Sequence, residues 1–281
     1  MRRKRGDGMG VSIETIRCEG FSMDFFRFGD GPRTLVILPG LSVQSVTLSA
    51  DAVAAAYRSM TEEYTVFVFD RRRELPPVYP IADMARDTAE AMRMIGIREA
   101  DLFGASQGGM IAMEITVNCP DLVRRLALGS TTADMRGARG EMIGEWIALA
   151  QAGDAAALYL RFGEALYPPV VYQGAREILL SSAEAVTPEE LARFCILAAG
   201  TTDFSIADWL GEIRCPVLLL SASDDRVLGP DAGAEIAQAL SGRADFTEHR
   251  YTRYGHAAYD LAPDYKKRLL DFFCRDFDRI G

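Results

Sequence analysis

The chain has 281 residues, 49% of them apolar and 25% charged, the mix of a globular protein long enough to bury its own core. That composition excludes a collagen, a disordered tail protein and a disulfide-stapled miniature. With 31 basic against 40 acidic residues the net charge is −9, which repels phosphate backbones, so nucleic acid is not expected as a partner.

Residues 1–10 open Met-Arg-Arg-Lys-Arg-Gly. No apolar run follows, so they read as a disordered basic tail and not as a signal peptide. Val11–Cys18 and Met23–Phe28 read as two strands split by Glu19-Gly20, with a turn at Gly29-Asp30-Gly31-Pro32. Thr34–Leu38 is a continuous apolar run stopped by Pro39-Gly40, as in a strand buried on both faces of a parallel sheet. Tyr64–Phe69 is another. Ile81, Met84, Ala85, Thr88, Met92 and Ile95 follow helical spacing, and Gly96 stands where a helix-ending glycine belongs. A short strand, Asp101–Phe103, precedes an apolar helical run, Met110–Val117.

The alternation then breaks. From about Ala133 to Asp208 only helix signals and turns occur: Glu141–Ala152, Asp154–Ala165, a break at Tyr167-Pro168-Pro169, and a capping-box start at Thr187-Pro188-Glu189-Glu190. One crossover needs only about a dozen residues, so this stretch reads as a separate helical cap. Strands resume at Val217–Leu220 and Phe246–Tyr251, and Tyr265, Leu269, Phe272 and Phe273 mark a last amphipathic helix. Strand–helix alternation of this kind predicts an α/β fold with a mostly parallel sheet.

Several chemistries drop out. The five cysteines, at 18, 119, 195, 215 and 274, show no C-x-x-C spacing, which argues for a reducing, cytoplasmic setting. The two histidines, His249 and His256, form no H-E-x-x-H motif. No apolar run reaches the roughly 18–20 residues that span a bilayer. No metal, cofactor or membrane partner is expected.

The most informative residues are Gly104-Ala105-Ser106-Gln107-Gly108-Gly109, a G-x-S-x-G turn between a strand and a helix. Small residues on either side let backbones pass closely, and the serine hydroxyl then stands at a helix N-terminus, which favours a developing anion. A nucleophilic serine needs a base and an orienting acid. His256, in a loop before the last helix, suits the base, since an ordinary imidazole pKa of about 6.5 allows proton transfer both ways near neutrality. His249 lies inside a strand and reads as structural. After Val217–Leu220 two aspartates, Asp224 and Asp225, compete for the acid.

These motifs resemble the α/β-hydrolase superfamily, specifically its cap-bearing small-molecule serine hydrolase branch. The resemblance rests on Leu35-Val36-Ile37-Leu38-Pro39-Gly40, the elbow Gly104–Gly109, Cys119–Leu128, Ile213–Leu218 and Gly255-His256. It implies a mostly parallel central sheet flanked by helices, with the core in 11–131 and 209–281 and the helical cap in 132–208. It also selects Asp225 over Asp224, because the family's acid stands three residues after a small strand-ending residue (here Ala222) and opens D-x-V, as in Asp225-Arg226-Val227. The chain order is then Ser106, Asp225, His256, that of α/β-hydrolases. The resemblance further implies an oxyanion hole from the backbone N–H groups of Gln107 and Leu41.

Two departures stand out. Pro39-Gly40 replaces the family's His-Gly, and proline has no N–H. Asp70-Arg71-Arg72-Arg73-Glu74-Leu75-Pro76 replaces an R-G-x-G turn; the arginines read as a solvated loop, with contact to an anionic substrate as the alternative. A serine nucleophile argues against haloalkane dehalogenase and epoxide hydrolase chemistry. Hydrolysis of a small-molecule carboxylic ester is the first expectation. Carbon–carbon hydrolysis, lactone opening, amide hydrolysis, perhydrolysis, acyl transfer and a non-catalytic ligand-binding protein are the alternatives. The cap aromatics Trp146, Tyr159, Phe162, Tyr167 and Phe194, with Met142 nearby, read as core before pocket.

Overall fold

The computed structural model describes residues 11–277, and the tail expected at 1–10 lies outside them. Eight strands form one sheet: β1 (Ile13–Cys18), β2 (Phe21–Phe28), β3 (Arg33–Leu38), β4 (Tyr64–Arg72), β5 (Ala100–Ala105), β6 (Val123–Gly129), β7 (Val217–Ala222) and β8 (Phe246–Tyr251). Their order is β1-β2-β4-β3-β5-β6-β7-β8. β1 and β2 pair antiparallel, as do β2 and β4, and every pair from β4 through β3 to β8 is parallel. Gly20, at φ +81°, makes the tight turn between β1 and β2.

The apolar run of β3 is buried because helices cover both faces of the sheet. Val36 and Leu38 join one hydrophobic layer with α2 (Ile81–Met94) and α3 (Gln107–Asn118). Leu35 and Ile37, one residue out of phase, join the opposite layer. The second layer is closed by α1 (Ala50–Ala56) and, near the C-terminus, by the last helix over Tyr265–Phe273. Gly96 ends α2 at φ +88°, the conformation expected of a glycine there.

Two strands exceed the sequence expectation. β4 runs past Phe69 through Asp70, Arg71 and Arg72, so these charges finish a strand instead of forming a solvated loop. β6 carries Arg124 and Arg125 in its first half. Both answer Asp101 of β5, which is fully buried. Arg124 forms a bidentate pair with its carboxylate, Arg125 lies 3.6 Å away, and the Tyr64 hydroxyl donates to it at 2.6 Å.

Between β6 and β7 the chain leaves the sheet and builds α4 (Glu141–Gln151), α5 (Ala155–Leu166), α6 (Pro169–Glu184) and α7 (Pro188–Ala199). Its ends meet. Met135 N–H donates to Phe204 O and Ile206 N–H to Ala133 O, both at 2.8 Å, around an isolated bridge between Asp134 and Ser205. The Asp154 carboxylate caps α5, and Thr187 and Glu190 close the expected capping box on α7. Trp146 and Phe194 are buried, with the Phe162 ring against both, 4.4 Å from the first and 6.3 Å from the second. After β7 come α8 (Ala234–Leu240), α9 (Ala258–Leu261) and α10 (Tyr265–Phe273). The five cysteines carry no disulfide, and among the described residues no helix is long and apolar enough to cross a membrane.

Removing one side of a buried charge cluster strands the other. Asp101→Ala is expected to cost about 2–3 kcal/mol of unfolding free energy in urea, below the roughly 3–5 of a fully enclosed pair because Arg124 is about one third exposed. An unchanged urea midpoint would remove Asp101 from the account of the core.

Candidate active site

β5 delivers the serine. Ser106 lies between β5 and α3 at φ 52°, ψ −122°, a sparsely populated conformation that costs on the order of 1–3 kcal/mol. Neighbouring backbones hold it there. A Cβ on Gly104 would lie 2.2 Å from Gly108 O, and one on Gly108 would lie 2.0 Å from Leu38 O. Only glycine fits at either position, which explains the G-x-S-x-G spacing physically. The Ser106 N–H donates to Gly129 O, and its carbonyl accepts from the Thr131 hydroxyl, each at 2.8 Å. The N–H of Gln107, in the first turn of α3, has no intrahelical acceptor.

The loop after β3 comes close to this elbow. A Cβ on Gly40 would lie 3.2 Å from Ser106 Cβ. Pro39 supplies a carbonyl where the N–H is missing: Arg71 Nη2 donates to it at 2.8 Å. Arg71, expected in a solvated loop, is 3% exposed. It also donates to the Gln107 side-chain oxygen at 3.0 Å. Arg72 pairs with Asp87 at 3.2 Å and lies over the Phe21 and Tyr79 rings; Arg73 stays at the surface, 3.7 Å from Asp24.

The two aspartates after β7 have different tasks. Asp225 is buried, and its Oδ1 accepts from the N–H groups of Val227 (2.8 Å) and Leu228 (2.9 Å). Its Oδ2 lies 2.8 Å from His256 Nδ1. An ionised carboxylate only accepts, so Nδ1 carries the proton and Nε2 is left as an acceptor. Asp224 instead takes the Gly255 N–H at 3.1 Å and so shapes the histidine loop without meeting the imidazole. His249 sits apart in β8, its ring edge-on to Tyr251 at 4.6 Å, and partial burial lowers its pKa.

The distant parts of the chain meet in one cavity. Ser106, His256, Gly40, Leu41, Gln107, Met110, Val227, Leu228 and Tyr259 line it from the sheet side. Met135, Ile143, Trp146, Phe162, Leu166 and Thr201 line it from the helical insertion. Trp146 and Phe162, expected as core before pocket, are both packed in the core and part of the lining, whereas Tyr159 turns to Gln44, 3.1 Å away. No Lys, Arg, Asp or Glu is among this lining. Its free space is about 20 Å³, room for little more than one water. Larger grooves open elsewhere, one of about 480 Å³ beside Glu114, Trp209 and Arg214, but it holds none of the three predicted residues. Among the described residues no cluster of three or more His, Cys, Asp or Glu side chains could hold a metal ion.

The insertion also clasps the histidine loop. Ala257 N–H donates to Leu166 O at 3.1 Å, at the end of α5. Gly255, at φ 61°, lets that carbonyl approach, since a Cβ there would lie 2.9 Å from it.

Residues 33–263 match the family model described as alpha/beta hydrolase fold. The chain belongs to that family. It is 28% identical over 212 residues to a putative carbamate hydrolase, RutD, of Azorhizobium caulinodans, covering 71% of this chain and 75% of that one. Matches to proteins of the same name in Caulobacter vibrioides span only about 30% of their length. It is 27% identical over 214 residues to a 2-hydroxy-6-oxononadienedioate/2-hydroxy-6-oxononatrienedioate hydrolase of a Pseudomonas species, covering 70% and 73% of the two chains. Among solved structures, MGS-M2, an alpha/beta hydrolase enzyme from a Medee basin deep-sea metagenome library, superposes with a TM-score of 0.80 at 19% identity, over 94% of this chain and 98% of that one. That likeness concerns the fold.

The hydrogen bonds separate the aspartates experimentally. Asp225→Asn is expected to lower kcat on a short nitrophenyl ester by about 10⁴-fold, by reversing the imidazole tautomer. Asp224→Asn should cost less than about tenfold. The opposite ranking would move the acid by one residue.

Proposed function

We propose that this enzyme is a serine hydrolase that cleaves a small, uncharged carboxylic ester through an acyl-enzyme intermediate. One observation carries the reading: His256, hydrogen-bonded to a buried Asp225 at 2.8 Å, shares a cavity lined by no Lys, Arg, Asp or Glu with a serine held in a strained elbow. Ser106 Oγ attacks the ester carbonyl as His256 Nε2 takes its proton. The N–H groups of Gln107 and Leu41 receive the oxyanion, and Asp225 stabilises the imidazolium. The C–O bond then breaks, and the alcohol leaves with the proton from His256. Water, deprotonated by the same imidazole, releases the acid and restores the serine. The helical insertion acts as a cap that excludes bulk water and sets the size of the acyl group.

The cavity supports an uncharged substrate. The Pseudomonas relative is named for a dioate, whose carboxylates call for cationic partners, and no cation is among the lining residues here. Carbamate hydrolysis is the second reading. It rests on the similarity to the protein named RutD and uses the same serine, histidine and aspartate.

Ser106→Ala is expected to reduce turnover of 4-nitrophenyl butyrate by about 10⁴-fold or more, with EDTA leaving the wild type unaffected. A fluorophosphonate probe should label the wild type at Ser106 and leave the variant blank. Retention of a tenth of the activity by Ser106→Ala would refute the assignment, and an unlabelled wild type would favour a ligand-binding protein.

A further inference from the structure

A buried guanidinium lies behind the proposed oxyanion site. Arg71 is the penultimate residue of β4, outside the cavity lining. Burial lowers its pKa to about 10, with Asp70 opposing the shift, so it is a cation at neutral pH. Its Nη2 donates to Pro39 O at 2.8 Å and to Gln107 Oε1 at 3.0 Å. Pro39 begins the segment that presents Leu41, and Gln107 follows the nucleophile. A single nitrogen therefore joins the two segments whose main-chain donors must converge on one oxygen.

The arginine is itself held. Arg193, on α7, donates to Arg71 O and approaches Asp70 Oδ2, each at 3.2 Å. Gln107 Nε2 extends the chain of bonds by donating to Leu197 O and Thr201 Oγ1, both at 2.8 Å. The Arg71 Nε meanwhile has no partner. A hydrocarbon side chain at this place on β4 would avoid a desolvated charge and an orphaned donor, but would leave Pro39 O and Gln107 Oε1 without the bond that Arg71 supplies. The acceptors of both segments thus hold the guanidinium, and its bonds tie one segment to the other.

We propose that Arg71 is a positioning residue that fixes the Pro39–Leu41 loop against the nucleophile elbow, and so sets the convergence of the Leu41 and Gln107 N–H groups on the oxyanion. This rests on the reading of Ser106 as nucleophile. Prealigned donors act on the transition state and little on bound substrate, so the effect belongs in kcat and not in KM.

The test uses the full chain with 4-nitrophenyl butyrate as substrate. An alkyl trifluoromethyl ketone, whose serine adduct carries an oxyanion, serves as transition-state probe. Arg71→Met should lower kcat by roughly 10–100-fold and leave KM within about threefold. Ketone affinity should fall by the same factor as kcat/KM. Arg71→Lys keeps the charge but not the planar fork and should recover only part of the loss. Gln107→Met retains its main-chain N–H but lacks the bridging amide. It should lower kcat and ketone affinity together, and its loss should combine less than multiplicatively with that of Arg71→Met.

Wild-type kcat and ketone affinity in Arg71→Met would overturn the proposal, as would a raised KM with unchanged kcat. If Arg71→Met fails to fold, Arg71→Lys and Gln107→Met decide: wild-type kcat and ketone affinity in both would overturn it. A wild type without Ser106-dependent turnover fails the nucleophile reading first, and this inference falls with it.

Discussion

Everything at this site depends on one close approach. The backbone of β3 passes so near the start of α3 that no side chain fits at Gly108, and Gly104 is confined in turn by Gly108. That crowding keeps Ser106 at φ 52°, because relaxing it would drive one main chain into another. The strain is held by the sheet on one side and the helix on the other. Ser106 is thereby held in the lining of the cavity by the fold itself.

The sheet also explains how residues so far apart in sequence come together. Ser106, Asp225 and His256 each follow a parallel strand, β5, β7 and β8, and parallel strands deliver their C-terminal ends to one edge. The chain can therefore supply a serine, a carboxylate and an imidazole from three loops and still set a 2.8 Å bond between the last two. Asp224 takes part indirectly, holding the Gly255 N–H in the loop that carries His256.

Much of this was legible in the sequence where a backbone demand forces a residue type. The glycines of the elbow, the capping box at Thr187 and Glu190 and the apolar runs of β3 and β7 each have one physical reading. Asp225 was separable from Asp224 only through the D-x-V resemblance, since either carboxylate suits a loop after a strand. The arginines misled for a clear reason. Charges at the end of a strand look like a loop until their partners are known, and the partners of Arg71, Pro39 O and Gln107 Oε1, lie more than thirty positions away. β6 was hidden in the same way, because Arg124 and Arg125 interrupt its apolar pattern to meet Asp101. Trp146 and Phe162 show a different limit. Helical spacing marks a buried face, but not whether that face meets protein or empty space.

The joined ends of the insertion have a consequence of their own. Because Ala133–Met135 and Phe204–Ile206 run side by side, four helices hang from a neck only two chains wide. The pairing of β6 with β7 therefore need not change with the length of chain between them. Change within the module is limited elsewhere, where Leu166 O takes the Ala257 N–H and Arg193 donates to Arg71 O.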